Sequence, residues 1–302
     1  MISIYDWLNK TAHKITSFVS DKYYDVTFTS AESLDERSGW VSEFCSRVSH
    51  KLVSVEYNPD LVKLKLGDSI YNLADIASIP VLKGKYLLDA TSLALPEILQ
   101  LFRIFDMKKV DFDVLYVQPT GYREHVSTDV SDSKVFDLSD DGHGLQLIPP
   151  FVGTTADSQI FVCLGFEGHR LGTLIHCEEY ITDKTFCLIG VPAFKSGWEN
   201  ITLSNNSEQL SKLLGYNKFG IRYAGANDPI STYESINKVY CSLSYERKIL
   251  CLVPIGTKPA TIAAAQFAIN NKNVIVAFDF VRKKKNRTEG SDIVHIWKFK
   301  VD

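Results

Sequence analysis

The chain has 302 residues, 45% of them hydrophobic and 23% charged, and a formal net charge of -3. That profile is ordinary for a soluble globular protein with a real core. It offers no global basic field for nucleic acid and no apolar run long enough to span a membrane. The six cysteines, at 45, 163, 177, 187, 241 and 251, lack CxxC spacing. Several fall inside apolar strand candidates, so buried reduced thiols and a cytoplasmic location are expected, with no metal site.

The N-terminus "MISIYDWLNKTAHKITSFVS" is broken by polar residues and is read as neither a signal peptide nor a membrane span. Ile4, Trp7, Leu8, Ala12, Ile15 and Phe18 follow helical spacing, which predicts an amphipathic docking helix. "YYDVTFTS" (23–30) reads as a strand, "WVSEFCSRVS" as a helix, and "KLVSVEY" (51–57) and "LVKLKLG" (61–67) as strands. "KYLLDAT" (85–91) enters the helix "SLALPEILQLFRIF", and "VDFDVLYVQP" (110–119) is again a strand. Residues 1–119 are thus expected to form an N-terminal α/β domain.

Residues 120–158 are rich in Ser, Thr, Asp and Gly and read as a linker or lid. From 159 to 302 the alternation is clearer. "QIFVCLGF" (159–166) is a nearly all-apolar strand, and "GHRLGTLIHCEEY" a helix. "KTFCLIGVP" (184–192), "KFGIRYAG", "KILCLVP" and "NVIVAFDFV" (273–281) are further strands, separated by helices "SEQLSKLLG", "ANDPISTYESINKVYCSL" and 259–269. "SDIVHIWKFKVD" reads as a closing edge strand, and the run Arg282–Arg287 before it as a solvated hairpin or loop tip. Regular strand–helix alternation predicts α/β architecture: two Rossmann-like three-layer halves, the C-terminal one a mainly parallel sheet with helices on both faces. Glu36-Arg37 in the first half and Glu167 with Arg170 in the second stand at matching loops, as expected of a duplication.

In an open parallel sheet, ligands bind beyond the carboxyl ends of the strands. Four loops of the second half meet that rule: "GFEGHR", "GVPAFKSGWEN", "AGANDP" and "PIGTKP". In the last, Gly256 allows close backbone approach, Thr257 can cap or donate, Lys258 adds charge, and Pro259 starts a helix. Together they suit a phosphate, although no Walker loop is present. Gly165, Arg170 and Lys195 complete the expected binding set, Arg170 as a bidentate anion grip unless it pairs with Glu167 to fix the loop. Glu167, His169 and Asp228 are the acid/base candidates if the chain is an enzyme, with helix capping the competing role for Asp228. Phe194, Trp198 and Asn200 beside Lys195 could stack on a base and read its edge. In the first half Asp89 and Thr91 stand at the equivalent corner. GxSxG, HExxH and GxGxxG are absent.

The strand leading to Gly256, Thr257 and Lys258, with its small-residue helix Pro259 to Ile269 and the glycine-bearing loop "LGFEGHR", resembles the C-terminal part of CARF domains. Those are Rossmann-like modules that sense cyclic oligonucleotides in prokaryotic defence. The resemblance covers about 120 residues, and Ile255 stands where the family carries a second glycine. It implies a ligand-binding regulatory or sensor protein for a phosphorylated or nucleotide ligand. The alternatives are an enzyme acting on a nucleotide or glycosidic bond, and a structural subunit of a larger complex with a protein partner or in a homo-oligomer. No cofactor is assigned.

Overall fold

A computed structural model describes residues 1–5, 12–32, 36–81, 84–125, 135–136, 138–140, 144–155, 158–176, 185–218, 220–243 and 249–302. The chain divides into one unit of Met1–Tyr122 with Lys285–Asp302 and a second of Arg123–Lys284. In chain order the sheet strands of the first unit are β1 (Ile2–Tyr5), β2 (Ala12–Lys14), β3 (Tyr24–Thr29), β4 (Ser49–Asn58), β5 (Lys63–Leu66), β6 (Ser69–Asn72), β7 (Tyr86–Asp89) and β8 (Phe112–Val117). Those of the second are β9 (Gln146–Leu147), β10 (Gln159–Cys163), β11 (Thr185–Gly190), β12 (Ile221–Ala224), β13 (Leu250–Pro254) and β14 (Val274–Phe278). The last strand, β15 (Ile293–Val301), returns to the first unit.

The first unit's sheet runs β1-β15-β8-β7-β3-β4-β5-β6, with β2 on a second stretch of β15. Its centre, β8-β7-β3-β4, is parallel, and β15 is antiparallel to β8. β7 and β8 are buried at every position, as expected of strands covered on both faces. Helices α1 (Glu36–Val48) and α2 (Leu95–Lys108) make the crossovers. Pro96 in the first turn of α2 and Glu97 accepting from the Ala94 N–H set its start. Phe102, Phe105, Phe112 and Phe299 form one aromatic core, with Phe112 and Phe299 stacked at 5.0 Å.

Two expectations change here. The N-terminal docking helix is not formed by the described residues: Ile2–Tyr5 pair with Lys298–Val301, and Ala12–Lys14 with Ile293–His295. Ile2 and Ile4 also satisfy a two-residue period, and the open edge of a nine-residue strand supplies hydrogen bonds that helical spacing cannot foresee. Trp7 and Leu8 lie outside the described residues. Likewise, "SDIVHIWKFKVD" is no edge of the second domain but an interior strand of the first unit, so the second unit ends at Lys284 and not at 302. The basic run is split: Arg282–Lys283 pair with Ser139–Asp140, and Thr288–Glu289 with Gly121–Tyr122.

The second unit's sheet runs β9-β14-β13-β10-β11-β12, parallel except for β9. β10 and β11 are neighbours, β13 lies on the other side of β10, and β14 follows it. β3, β4, β7 and β8 repeat that order in the first unit. Helices α3 (Gly168–His176), α4 (Trp198–Asn205), α5 (Ser207–Tyr216), α6 (Pro229–Cys241) and α7 (Lys258–Asn270) connect the strands. Leu171, Leu174, Leu210 and Leu213 of α3 and α5 pack with Ile160, Val162, Cys251 and Val253 on one face. On the other, α6 meets α7 through Tyr233 and Tyr240 against Phe267. From Pro259 to Ala268 α7 is buried throughout, which its alanines permit by letting it lie close to β13 and β14.

Candidate functional site at the carboxyl edge of the second sheet

Strand order reverses between β10 and β13, so the crevice expected to receive a ligand lies between Leu164–Gly165 and Ile255–Gly256. The two backbones close on each other there. A Cβ on Gly165 would stand 3.1 Å from the Ile255 carbonyl oxygen, and one on Gly256 would run into the Leu164 carbonyl. Both glycines allow backbone to meet backbone within the protein.

Glu167 and Arg170 then span the edge. Oε1 of Glu167, 7% exposed, accepts from the Leu138 N–H at 3.1 Å and the Ser139 hydroxyl at 2.7 Å. Arg170 donates from Nε and Nη2 to Asp279 at 2.5 and 2.7 Å, and from Nη1 to the Ile255 carbonyl at 2.9 Å. Its Nη1 lies 3.8 Å from Oε2 of Glu167. The guanidinium fork is thus matched to a carboxylate of the chain itself. Asp279, directly after β14, is the residue that the sequence reading missed. Its signal was a single acidic residue ending an otherwise apolar strand, at the same sheet edge as an arginine. His169 is exposed, and its carbonyl, not its ring, accepts from Thr173.

The remaining loops converge on the same edge. After β11 the Pro192 carbonyl accepts from the Ala226 N–H at 2.9 Å, and the Ala226 carbonyl accepts from the Thr257 hydroxyl at 3.0 Å. Because β12 is the edge strand and Thr257 follows β13, the 225–228 loop crosses the ends of β11 and β10 to make this bond. Gly190 accommodates it: a Cβ there would lie 2.8 Å from that of Ala226. Asp228 caps α6, accepting from the N–H groups of Ile230 at 2.9 Å and Ser231 at 3.2 Å. Thr257 caps α7, accepting from the Ala260 N–H at 3.5 Å, and half-buried Lys258 opens that helix. Asn205 and Asn206 donate to the carbonyls of Phe166 and Gly165, each at 2.9 Å. Lys195 is exposed, with its ammonium 5.4 Å from the centre of the Trp198 ring. The structure therefore gathers Gly165, Arg170, Gly256, Thr257, Glu167 and Asp228 into one hydrogen-bonded edge, with Lys195 and Lys258 at its borders.

Arg37 donates to the Val117 carbonyl at 3.0 Å, and Glu36 accepts from the Gly290 N–H at 2.9 Å. Asp89, 1% exposed, accepts from Thr29, Ser92 and the Thr91 N–H, while the Thr91 hydroxyl accepts from the Val117 N–H. On β15, His295 lies against both Tyr116 and Trp297, at ring-centre distances of 5.9 and 5.2 Å, with Nε2 3.3 Å from Gln118. Burial, and then the neighbouring charge of His13, lowers its pKa to about 4. Burial likewise raises the thiols of Cys163, Cys187 and Cys251 to about 12, which disfavours the thiolate form.

Among the described residues no group of three or more His, Cys, Asp and Glu could hold a metal ion, and no helix is long and apolar enough to cross a membrane. Comparison with protein-family models, curated proteins and solved structures finds no match. The site must speak for itself.

Proposed function

We propose that the chain is a ligand-binding regulatory or sensor protein, not an enzyme, and that it takes a phosphorylated or nucleotide ligand at the carboxyl edge of the second sheet. One observation carries the reading. Two of the three acid/base candidates are spent on structure: Glu167 on Leu138 and Ser139, and Asp228 on the start of α6. Meanwhile Lys195 faces solvent and Lys258 stands at a helix N-terminus. A general base must be able to reach substrate, whereas a cationic border beside a helix dipole suits an anion. The strand order shared by the two units supports two Rossmann-like halves, and the likeness of "IGTKP" to CARF domains makes a cyclic oligonucleotide one candidate ligand.

Calorimetry with ATP, a cyclic oligoadenylate and inorganic phosphate tests this. Lys258→Ala is expected to weaken binding severalfold, with every ligand recovered unchanged after incubation. Turnover that Glu167→Gln abolishes would establish the enzyme instead, and no binding at millimolar concentration would remove the sensor.

A further inference from the structure

We infer that the ligand of this edge carries an aromatic base, which stacks on Trp198 in place of the Lys195 ammonium while that ammonium turns to the ligand's phosphate. The inference rests on the anion-binding reading above and names the ligand more closely. Trp198 is the first residue of α4 and is half-buried. Its indole meets Phe166 edge-on at 5.5 Å, and Phe166 is stacked on buried Phe136 at 4.8 Å. These ring contacts restrict the orientation of the indole. Gly197, with φ of 90°, makes the turn that lays Lys195 across the ring, closed by the Trp198 N–H donating to the Lys195 carbonyl at 3.1 Å.

A cation over an indole marks the electron-rich face that a flat base would cover, and base–aromatic stacking tolerates any base. Among the described residues no carboxylate pairs with Lys195, and its four-carbon stem lets the ammonium move a few ångströms without backbone change. The Pro192–Ala226–Thr257 hydrogen bonds tie the start of this loop to the residue that caps α7, the helix that Lys258 opens. Glu199 does not oppose this, because its carboxylate is turned to the Gly197 N–H at 3.1 Å.

The test is titration of the full chain with ATP, GTP and inorganic tripolyphosphate, read by calorimetry and tryptophan fluorescence. ATP and GTP are expected to bind about tenfold or more tightly than tripolyphosphate, and to quench Trp198. Trp198→Ala should remove that advantage and leave tripolyphosphate binding unchanged. Trp198→Phe should keep the affinity and lose the quench, which decides the matter even if Trp198→Ala fails to fold. Lys195→Ala should weaken all three ligands a few-fold. Equal affinity for nucleotide and tripolyphosphate, or an advantage that survives Trp198→Ala, would overturn the stacking and leave anion binding standing. No binding of any of the three would overturn both.

Discussion

Arg170 and Asp279 form a two-pronged ion pair, Nε to Oδ2 at 2.5 Å and Nη2 to Oδ1 at 2.7 Å, across the carboxyl edge of the second sheet. Side-chain exposures of 13% and 6% put the pair mostly out of water. Removing one partner of such a pair strands the other. Arg170→Ala should therefore destabilise the protein by about 3 kcal/mol in urea unfolding. Arg170→Met with Asp279→Leu should recover most of that loss. A single mutant as stable as wild type would show that the edge is not latched by this pair.

Glycine substitutions make a sharper test because two at the edge and one inside α5 predict opposite signs. Gly256→Ala and Gly168→Ala would push a methyl into the backbone of Leu164 and of Asn205, so each should cost more than about 2 kcal/mol. Gly215→Ala, inside α5 with nothing within 4 Å, should stabilise by about 0.5–1 kcal/mol. Thermal melts of the three variants give the comparison.

His295 predicts an acid limit. Its folded pKa, near 4, lies below the 6.5 of the unfolded chain, so the unfolded state takes up the proton first as pH falls. Its contribution is complete above pH 6.5, declines from there towards pH 4, and totals at most ~3 kcal/mol. The urea midpoint of wild type should fall relative to that of His295→Phe as pH drops through that window. Parallel curves would mean that the imidazole is hydrated in the folded protein.

Thiol accessibility checks the core. Cys45, Cys163, Cys187 and Cys251 are buried, and Cys241 is exposed. Brief treatment with a maleimide, followed by peptide mapping, should modify Cys241 and spare those four until denaturant is added. Rapid labelling of Cys163 or Cys251 would contradict the packing of β10 and β13.

The parallel strands and the helices between them were legible because a strand covered on both faces must be apolar along its length, as β13 and β14 are throughout and β10 is after Gln159. Caps were legible as well: Asp228 before Pro229, and Thr257 two residues before Pro259, stand where a helix start needs them. Local chemistry alone imposes both, since they depend on neighbours a few residues away. The destination of β15 was not legible. Its alternation suits any open edge, and nothing local says that Val294 will lie beside Val117 rather than at the end of the second sheet. Arg170 was read as able to grip an anion or to pair within its own loop. That the anion is Asp279, 109 residues away, followed only once β14 was folded next to β13. A buried guanidinium needs a buried carboxylate, and which one it finds is decided by strand order, a property that no window of sequence contains.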